Sequence, residues 1–267
     1  MGALNRLTGC GLGALLTCAP SAAVASSAAE AAPAESAVNA RHDPPVIALI
    51  IDDLGYSPEL ARRTLALPRP FAVAILPESP LAGIVHESAD LHDIDIMLHM
   101  PMAASPGQND YDVAIDRSMD VGEIRLQMEH ALALIPDAIA VNNHEGSVTT
   151  EDGPTMEAVM VSLAEAGDIA FIDSRTSARS VAEQAALDAG LRTARRHVFL
   201  DHDPSVEAVD RAVDTWLEFA ERHGCALAIG HPRAETLGVL EQRLARIGED
   251  FDRVGLATYL ERCGRER

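Results

Sequence analysis

Six apolar runs in this chain each end in a polar cluster: Asp52-Asp53, His99-Met100-Pro101-Met102, Asn142 through Ser147, Asp173-Ser174-Arg175-Thr176, Asp201-His202-Asp203 and His231-Pro232. Imidazole nitrogens and carboxylate oxygens are the donors that hold a divalent cation such as Zn2+ while leaving a coordination position open, and such a centre polarises carbonyls and activates water. Taken one at a time, the pieces have ordinary explanations. An aspartate after a strand is often a helix cap or a turn former, a lone histidine is often a hydrogen-bonded core residue, and Arg175 can simply pair with a neighbouring carboxylate. Together they coincide: Asp52, Asp53, His99, His144 and His231 all occupy the same position relative to the strand before them. No CxxC spacing occurs, which argues against a structural thiolate zinc site.

The elements that must position these groups are parallel strands. The run Val46 to Ile51 is apolar throughout, as in a strand covered on both faces, and it stops at two adjacent acids and then Gly55. Further strands are expected at 71–76, 94–98, 138–141, 169–172, 197–200, 226–229 and 254–257. Helices are expected between them. Ser57-Pro58 opens one, 81–91 forms another, and Asp120 caps 121–134. Asp152-Gly153-Pro154 opens a helix that Gly167 closes, 205–223 ends at Gly224, and 237–247 is the last long one. Strands alternating with helices of this length make βαβ units. Their number favours an α/β fold closed, or nearly closed, into a (β/α) barrel of about seven parallel strands, whose strand ends meet at one rim. The absence of GxGxxG after the first strand argues against a dinucleotide fold. The polar stretch 103–117 is expected to be a loop carrying substrate contacts.

Composition narrows the chemistry. Of the 267 residues none is lysine, which removes Schiff-base and P-loop lysine chemistry. A formal charge of −20 argues against a nucleic-acid partner and suggests an acidic rim suited to a cationic or neutral substrate. Residues 1–25 read as a secretory signal: Arg6, an apolar and small-residue run from Leu7 to Ala19, and Ala23-Val24-Ala25 as the cleavage site. The run is too short for a transmembrane span. Residues 26–44 read as an Ala/Ser/Pro-rich disordered linker, and 45–262 as the folded domain of an exported, periplasmic protein. Cys225 and Cys263 then remain. They can form a disulfide in an oxidising compartment, but Cys225 starts an apolar strand and reads as a buried free thiol. Aromatic residues make up 3% of the chain. Tyr56 and then Tyr111 are the candidates for a sugar platform near the rim, with ordinary packing as the plain alternative.

The motifs IIDDLG, LHMPM, VNNHEGS, FIDSRT, ARRHVFLD and AIGHP, in this order, resemble those of the divergent polysaccharide deacetylase family, a branch of the NodB-like carbohydrate deacetylases, over about residues 46–260. The resemblance implies a distorted (β/α) barrel and hydrolysis of N-acetyl groups on an envelope or extracellular glycan, with a divalent metal, usually zinc, bound by one Asp and two His. Carried over by position, Asp53 and His99 match metal ligands. Asp52 matches the general base, and His231 the late histidine that acts as general acid or orients one. The usual HxxxH segment is absent, so His144, from the next strand end, stands in as the second histidine ligand. Asp173 is expected to orient His231, with Asp201 as the alternative. The arginine-proline-tyrosine segment that helps hold the oxyanion has no match, and Asn143, Ser147 or the Gly146 backbone are the substitutes. A non-catalytic envelope-binding module on the same barrel, with or without its metal, is the competing reading. Protein partners are not indicated.

Overall fold

Nine strands and eight helices alternate through residues 43–266, the span that the computed structural model describes apart from Asn109. The expected signal and linker, and Cys10 and Cys18 with them, lie outside these residues except for the linker's last two positions. The strands are β1 (Val46–Leu54), β2 (Ala72–Ile75), β3 (Asp95–Met102), β4 (Ala140–Glu145), β5 (Ala170–Asp173), β6 (Thr193–Arg195), β7 (Val198–Phe199), β8 (Cys225–Gly230) and β9 (Asp252–Arg253). The helices are α1 (Pro58–Leu65), α2 (Ala82–Asp90), α3 (Val121–Leu134), α4 (Gly153–Ala166), α5 (Ala182–Asp188), α6 (Val206–His223), α7 (Ala234–Leu244) and α8 (Leu256–Cys263). Capping sets several boundaries where the sequence places them. Asp120 and Glu123 form a reciprocal capping box on α3, the Asp152 side chain accepts from Thr155 N at the start of α4, and α6 ends on Gly224 in the left-handed region.

All strand pairs are parallel, in the order β6-β5-β4-β3-β2-β1-β8-β7, with β9 beside the start of β1. The two edges, β6 and β7, are consecutive in the chain and separated only by Arg196 and His197. A span this short reaches about 10 Å, so the sheet must curl until its edges nearly meet. They are halves of one bent strand: Arg196 N donates to Asp173 O on the β5 side, and His197 N donates to Leu227 O on the β8 side. Counted this way the barrel has seven staves, as expected, and the predicted strand at 197–200 is the second half of one that starts at Thr193.

Strand alternation divides the core in two. Outward side chains such as Leu49, Val73, Leu98, Val141 and Phe171 pack under α1 to α7. Inward positions are mostly small: Ala48, Ala72, Ala74, Ala140, Ala170 and Ala194, with Ile50, Met97, Ile172, Leu227 and Ile229. A narrow interior needs side chains of this size. Leu256, Tyr259 and Leu260 of α8 join this inner cluster beside Val46, plugging the end where the strands begin.

Two expectations are corrected at this plug. The chain leaves the sheet after Arg253 and turns into α8, so no strand covers 254–257. That helix carries Cys263 to Cys225, and the two form a disulfide, so Cys225 is not a free thiol. The bridge spans 38 residues, a loop for which chain entropy gives about 3–4 kcal/mol of stabilisation. The double variant Cys225→Ser/Cys263→Ser is expected to lose stability of that order in urea unfolding. Unchanged stability would mean that α8 is held by its apolar contacts alone.

Candidate metal centre

The inward positions that are alanine or leucine lower in the barrel become polar at the C-terminal ends: Asp52 on β1, His99 on β3, Asn142 and His144 on β4, and His231 just after β8. Each continues the inward alternation of its own strand. Asp53 is the exception, because a side chain adjacent to Asp52 should face outward. Here β1 carries a bulge, its pairing with β2 slipping between Ile51 and Leu54, and Asp53 takes φ 57°. A bulge with a left-handed residue re-aims a side chain, and both acids reach the same cavity. Gly55 lets the chain leave this turn: its φ is 124°, and a Cβ there would lie 1.7 Å from Ser79 Oγ. Glu145 and Arg175 also hold positive φ on the cavity wall. Strain of this kind collects at functional sites.

Three ligand-type atoms converge. Asp53 Oδ1 lies 2.9 Å from His144 Nδ1 and 3.1 Å from His99 Nε2, and the two nitrogens are 3.1 Å apart. Ligands about 2.0–2.2 Å from a zinc ion stand about 3.3–3.6 Å from one another in a tetrahedral shell, so the triangle is slightly tighter than one face of such a shell. Asp53 Oδ1 is buried yet accepts no well-directed hydrogen bond, as expected of an oxygen aimed at a shared point. Asp53, His99 and His144 therefore fit a divalent cation.

Outer contacts orient the ligands. His99 Nδ1 meets Asn142 Oδ1 at 2.7 Å, and Asn142 Nδ2 donates to Asp52 Oδ1 at 2.8 Å. With its Nδ1–H donated to Asn142, His99 turns the Nε2 lone pair toward Asp53 and His144. His144 Nε2 lies 3.1 Å from the Tyr111 hydroxyl, which directs Nδ1 inward in the same way. Tyr111 sits in the loop expected to carry substrate contacts and holds a ligand instead. Burial and the neighbouring Tyr56 push its pKa up to about 12. Asn142 was not singled out in the sequence; its place two residues before His144 on one strand was the available signal.

The site favours positive charge at its centre. Burial opposes a charged His99, but Asp52 and Asp53 outweigh it and push its pKa up to about 9. Burial likewise opposes ionised Asp53, but His144 and His99 hold it well below the usual carboxylate range. Asp52, wholly buried and 3.8 Å from His99 Nε2, is pushed up by burial. Across the cavity His231 Nε2 stands 3.5 Å from Asp53 Oδ2. Burial opposes its charged form, and the bond to Asp201 together with the charges of Asp52, Asp201 and Asp53 outweighs that and raises its pKa.

The supporting acid is Asp201, not Asp173. Asp201 Oδ1 lies 2.9 Å from His231 Nδ1, and its Oδ2 accepts from His231 N and Thr236 Oγ1. Asp173 follows inward Ile172 and so faces away from the barrel axis, where it accepts from Arg175 N and Ser180 Oγ. Asn143, one residue past inward Asn142, still lines the cavity. It is buried, donates to Glu145 O and Thr176 Oγ1, accepts from Ser174 N, and so clamps two cavity loops together. Ser147 and Tyr56 do not line the cavity of about 410 Å3; Phe199, at the bent strand, is the aromatic side chain that does. Nor is the wall acidic as expected, since Arg175, Arg196 and Arg233 lie on it beside Asp52, Asp53 and Glu145.

Fold and site together define a parallel α/β barrel with an Asp-His-His centre at its C-terminal rim. The chain belongs to the divergent polysaccharide deacetylase family, whose sequence model matches residues 49–259. It is 36% identical over 210 residues to an uncharacterized protein of Haemophilus influenzae, covering 79% of this chain and 75% of that one. It is 32% identical over 214 residues to the uncharacterized protein YibQ of Escherichia coli K12, covering 80% and 67%. The crystal structure of an uncharacterized protein from Agrobacterium tumefaciens C58 superposes with a TM-score of 0.75 at 20% identity, covering 80% of this chain and 89% of that one, and shows the same fold.

Asn142→Ala is expected to weaken zinc affinity about 10- to 100-fold, measured by competition with a chromophoric chelator, while Asn143→Ala leaves it unchanged. Equal effects of the two substitutions would contradict the separate roles given to them.

Proposed function

We propose that this protein is an exported, metal-dependent hydrolase that removes N-acetyl groups from an envelope or extracellular glycan. The observation that carries the reading is the convergence of Asp53, His99 and His144 opposite a separately held His231–Asp201 pair, within one cavity. Metal-assisted amide hydrolysis uses these parts: a cation site, a base beside it, and a proton donor for the leaving nitrogen. A divalent cation on the three ligands supplies Lewis acidity toward the acetyl carbonyl and lowers the pKa of water. Asp52 neighbours the ligands without belonging to the triangle, and it takes the proton of the attacking water. His231 is held by Asp201 with Nδ1 engaged and Nε2 facing the cavity, and it gives a proton to the amine nitrogen as the carbon–nitrogen bond breaks. Water has then added to the carbonyl, and acetate and a free amine leave.

Export rests on the sequence of residues 1–25, and the Cys225–Cys263 disulfide supports an oxidising compartment such as the periplasm. Among the described residues no helix is long and apolar enough to cross a membrane.

Wild-type protein is expected to bind about one zinc per chain, and Asp53→Ala, His99→Ala and His144→Ala to lose it. Asp52→Asn and Asp201→Asn should keep the metal. On N-acetylglucosamine oligomers Asp52→Asn is expected to lower turnover by about 10²–10⁴ and Asp201→Asn to lower it as well, while Asp173→Asn stays within a few-fold of wild type if it folds. Full turnover in Asp52→Asn would remove its assignment as the base. Failure of the wild type to bind any divalent metal would leave the binding-module reading in its place.

A further inference from the structure

Three arginines on the cavity wall have no role in the steps above, and their surroundings leave their charge available. Arg196 Nε donates to Ser174 O at 2.6 Å, its Nη2 donates to Arg175 O at 2.8 Å, and its guanidinium lies 4.6 Å over the Phe199 ring. Every one of these partners is uncharged, and among the described residues Nη1 has no protein acceptor. Arg233 donates to Asp201 O. Arg175 donates to Ser180 O and Ala178 O, and the carboxylate near it, Asp173, is 4.0 Å away. Elsewhere several arginines of this chain reach direct carboxylate contact, as in Arg179–Glu151, Arg192–Asp168 and Arg243–Asp210, while Arg69, Arg222 and Arg253, outside this cavity, also bond backbone carbonyls. The acids on the same wall are already engaged: Asp52 with Asn142, Asp53 with His99 and His144, and Glu145 with Gln108.

A second observation, independent of charge, falls at the same place. Ser174 is buried and lines the cavity, yet its Oγ has no hydrogen-bond partner. A buried hydroxyl without a partner forfeits its hydration with nothing in exchange, and is retained where something else satisfies it. Arg196 grips the backbone carbonyls of Ser174 itself and of Arg175, whose left-handed conformation is held by its N–H on Asp173 Oδ1. Rigid guanidinium donors beside a hydroxyl make a receptor for a planar or tetrahedral oxyanion.

We propose that Ser174, Arg175 and Arg196, with Arg233 on the same wall, form an anion subsite, and that the glycan taken by this cavity carries a carboxylate or phosphate close to the acylated nitrogen. The inference rests on the reading of this cavity as a glycan site, but it does not require turnover. It reverses the expectation drawn from the overall charge of −20: the net charge keeps the molecule acidic while the cavity itself presents cationic donors.

The test is binding, followed by calorimetry with the zinc-loaded protein. The probes are three N-acetylated amino-sugar oligomers of equal length: neutral, bearing a carboxylate ether, and bearing a phosphate ester. At least 10-fold tighter binding of an anionic oligomer over the neutral one is expected, and the tighter of the two identifies the anion. In Arg196→Gln the preference should fall to less than 3-fold with neutral binding and zinc content unchanged. Arg233→Gln, at an exposed residue, should lower it several-fold even if Arg196→Gln fails to fold. Equal affinity for neutral and anionic oligomers, a preference that survives in both variants, or no binding of either anionic oligomer would each overturn the subsite. Binding of an anionic oligomer by a protein that hydrolyses none of the three would sink the hydrolase reading and leave this one standing.

Discussion

Everything at the rim depends on a parallel sheet closed tightly enough that its strand ends share one small space. Parallel pairing sends every C-terminus the same way, and the alanines inside bring opposite staves close. Once those two conditions hold, a ligand from β1, one from β3 and one from β4 need no long side chains or dedicated loops to meet. The register does the placing: His99 stands beside Asn142 and Pro101 beside His144, so His144 enters one inward step beyond His99 and meets its Nε2 through the nearer ring nitrogen, Nδ1. The bulge at Asp53 is the single departure from regular geometry that the centre requires.

Much of this was legible in the sequence. The apolar runs ending in acids or histidines identified the strands, the rim and all three ligand candidates, and the capping residues of α3 and α4 marked those helices to the residue. Parity was the harder signal. Asp173 and Asp201 look alike as acids after strands, but Asp173 is one residue past an inward isoleucine and must point out, whereas Asp201 lies two residues past Phe199, which lines the cavity. Asn142 and Asn143 divide in the same way. Reading alternation inward from the alanines would have separated both pairs. The bulge was not legible, since two adjacent acids at a strand end do not reveal that the backbone turns to use both. The last helix was also missed, because its tyrosine and leucines serve the barrel interior and not the outer layer of helices, and the cysteine pairing was missed with it.

Composition misled in one instructive respect. A chain with 41 acids and no lysine reads as acidic everywhere, but net charge averages over a surface that the substrate never touches. The cavity instead sets three arginines beside its acids and histidines, and the hydrogen bonds of those arginines go to backbone carbonyls.

The bent strand through Arg196 and His197 has a consequence for how the molecule avoids its own kind. An open parallel sheet of this length would expose two rows of unpaired backbone groups, each a template for joining another molecule. By letting one segment hydrogen-bond β5 with its first half and β8 with its second, the chain covers both rows at once with a handful of residues. Breaking the chain there, by permutation or nicking, would release two edges from a single cut, and self-association of the opened sheet would compete with closure.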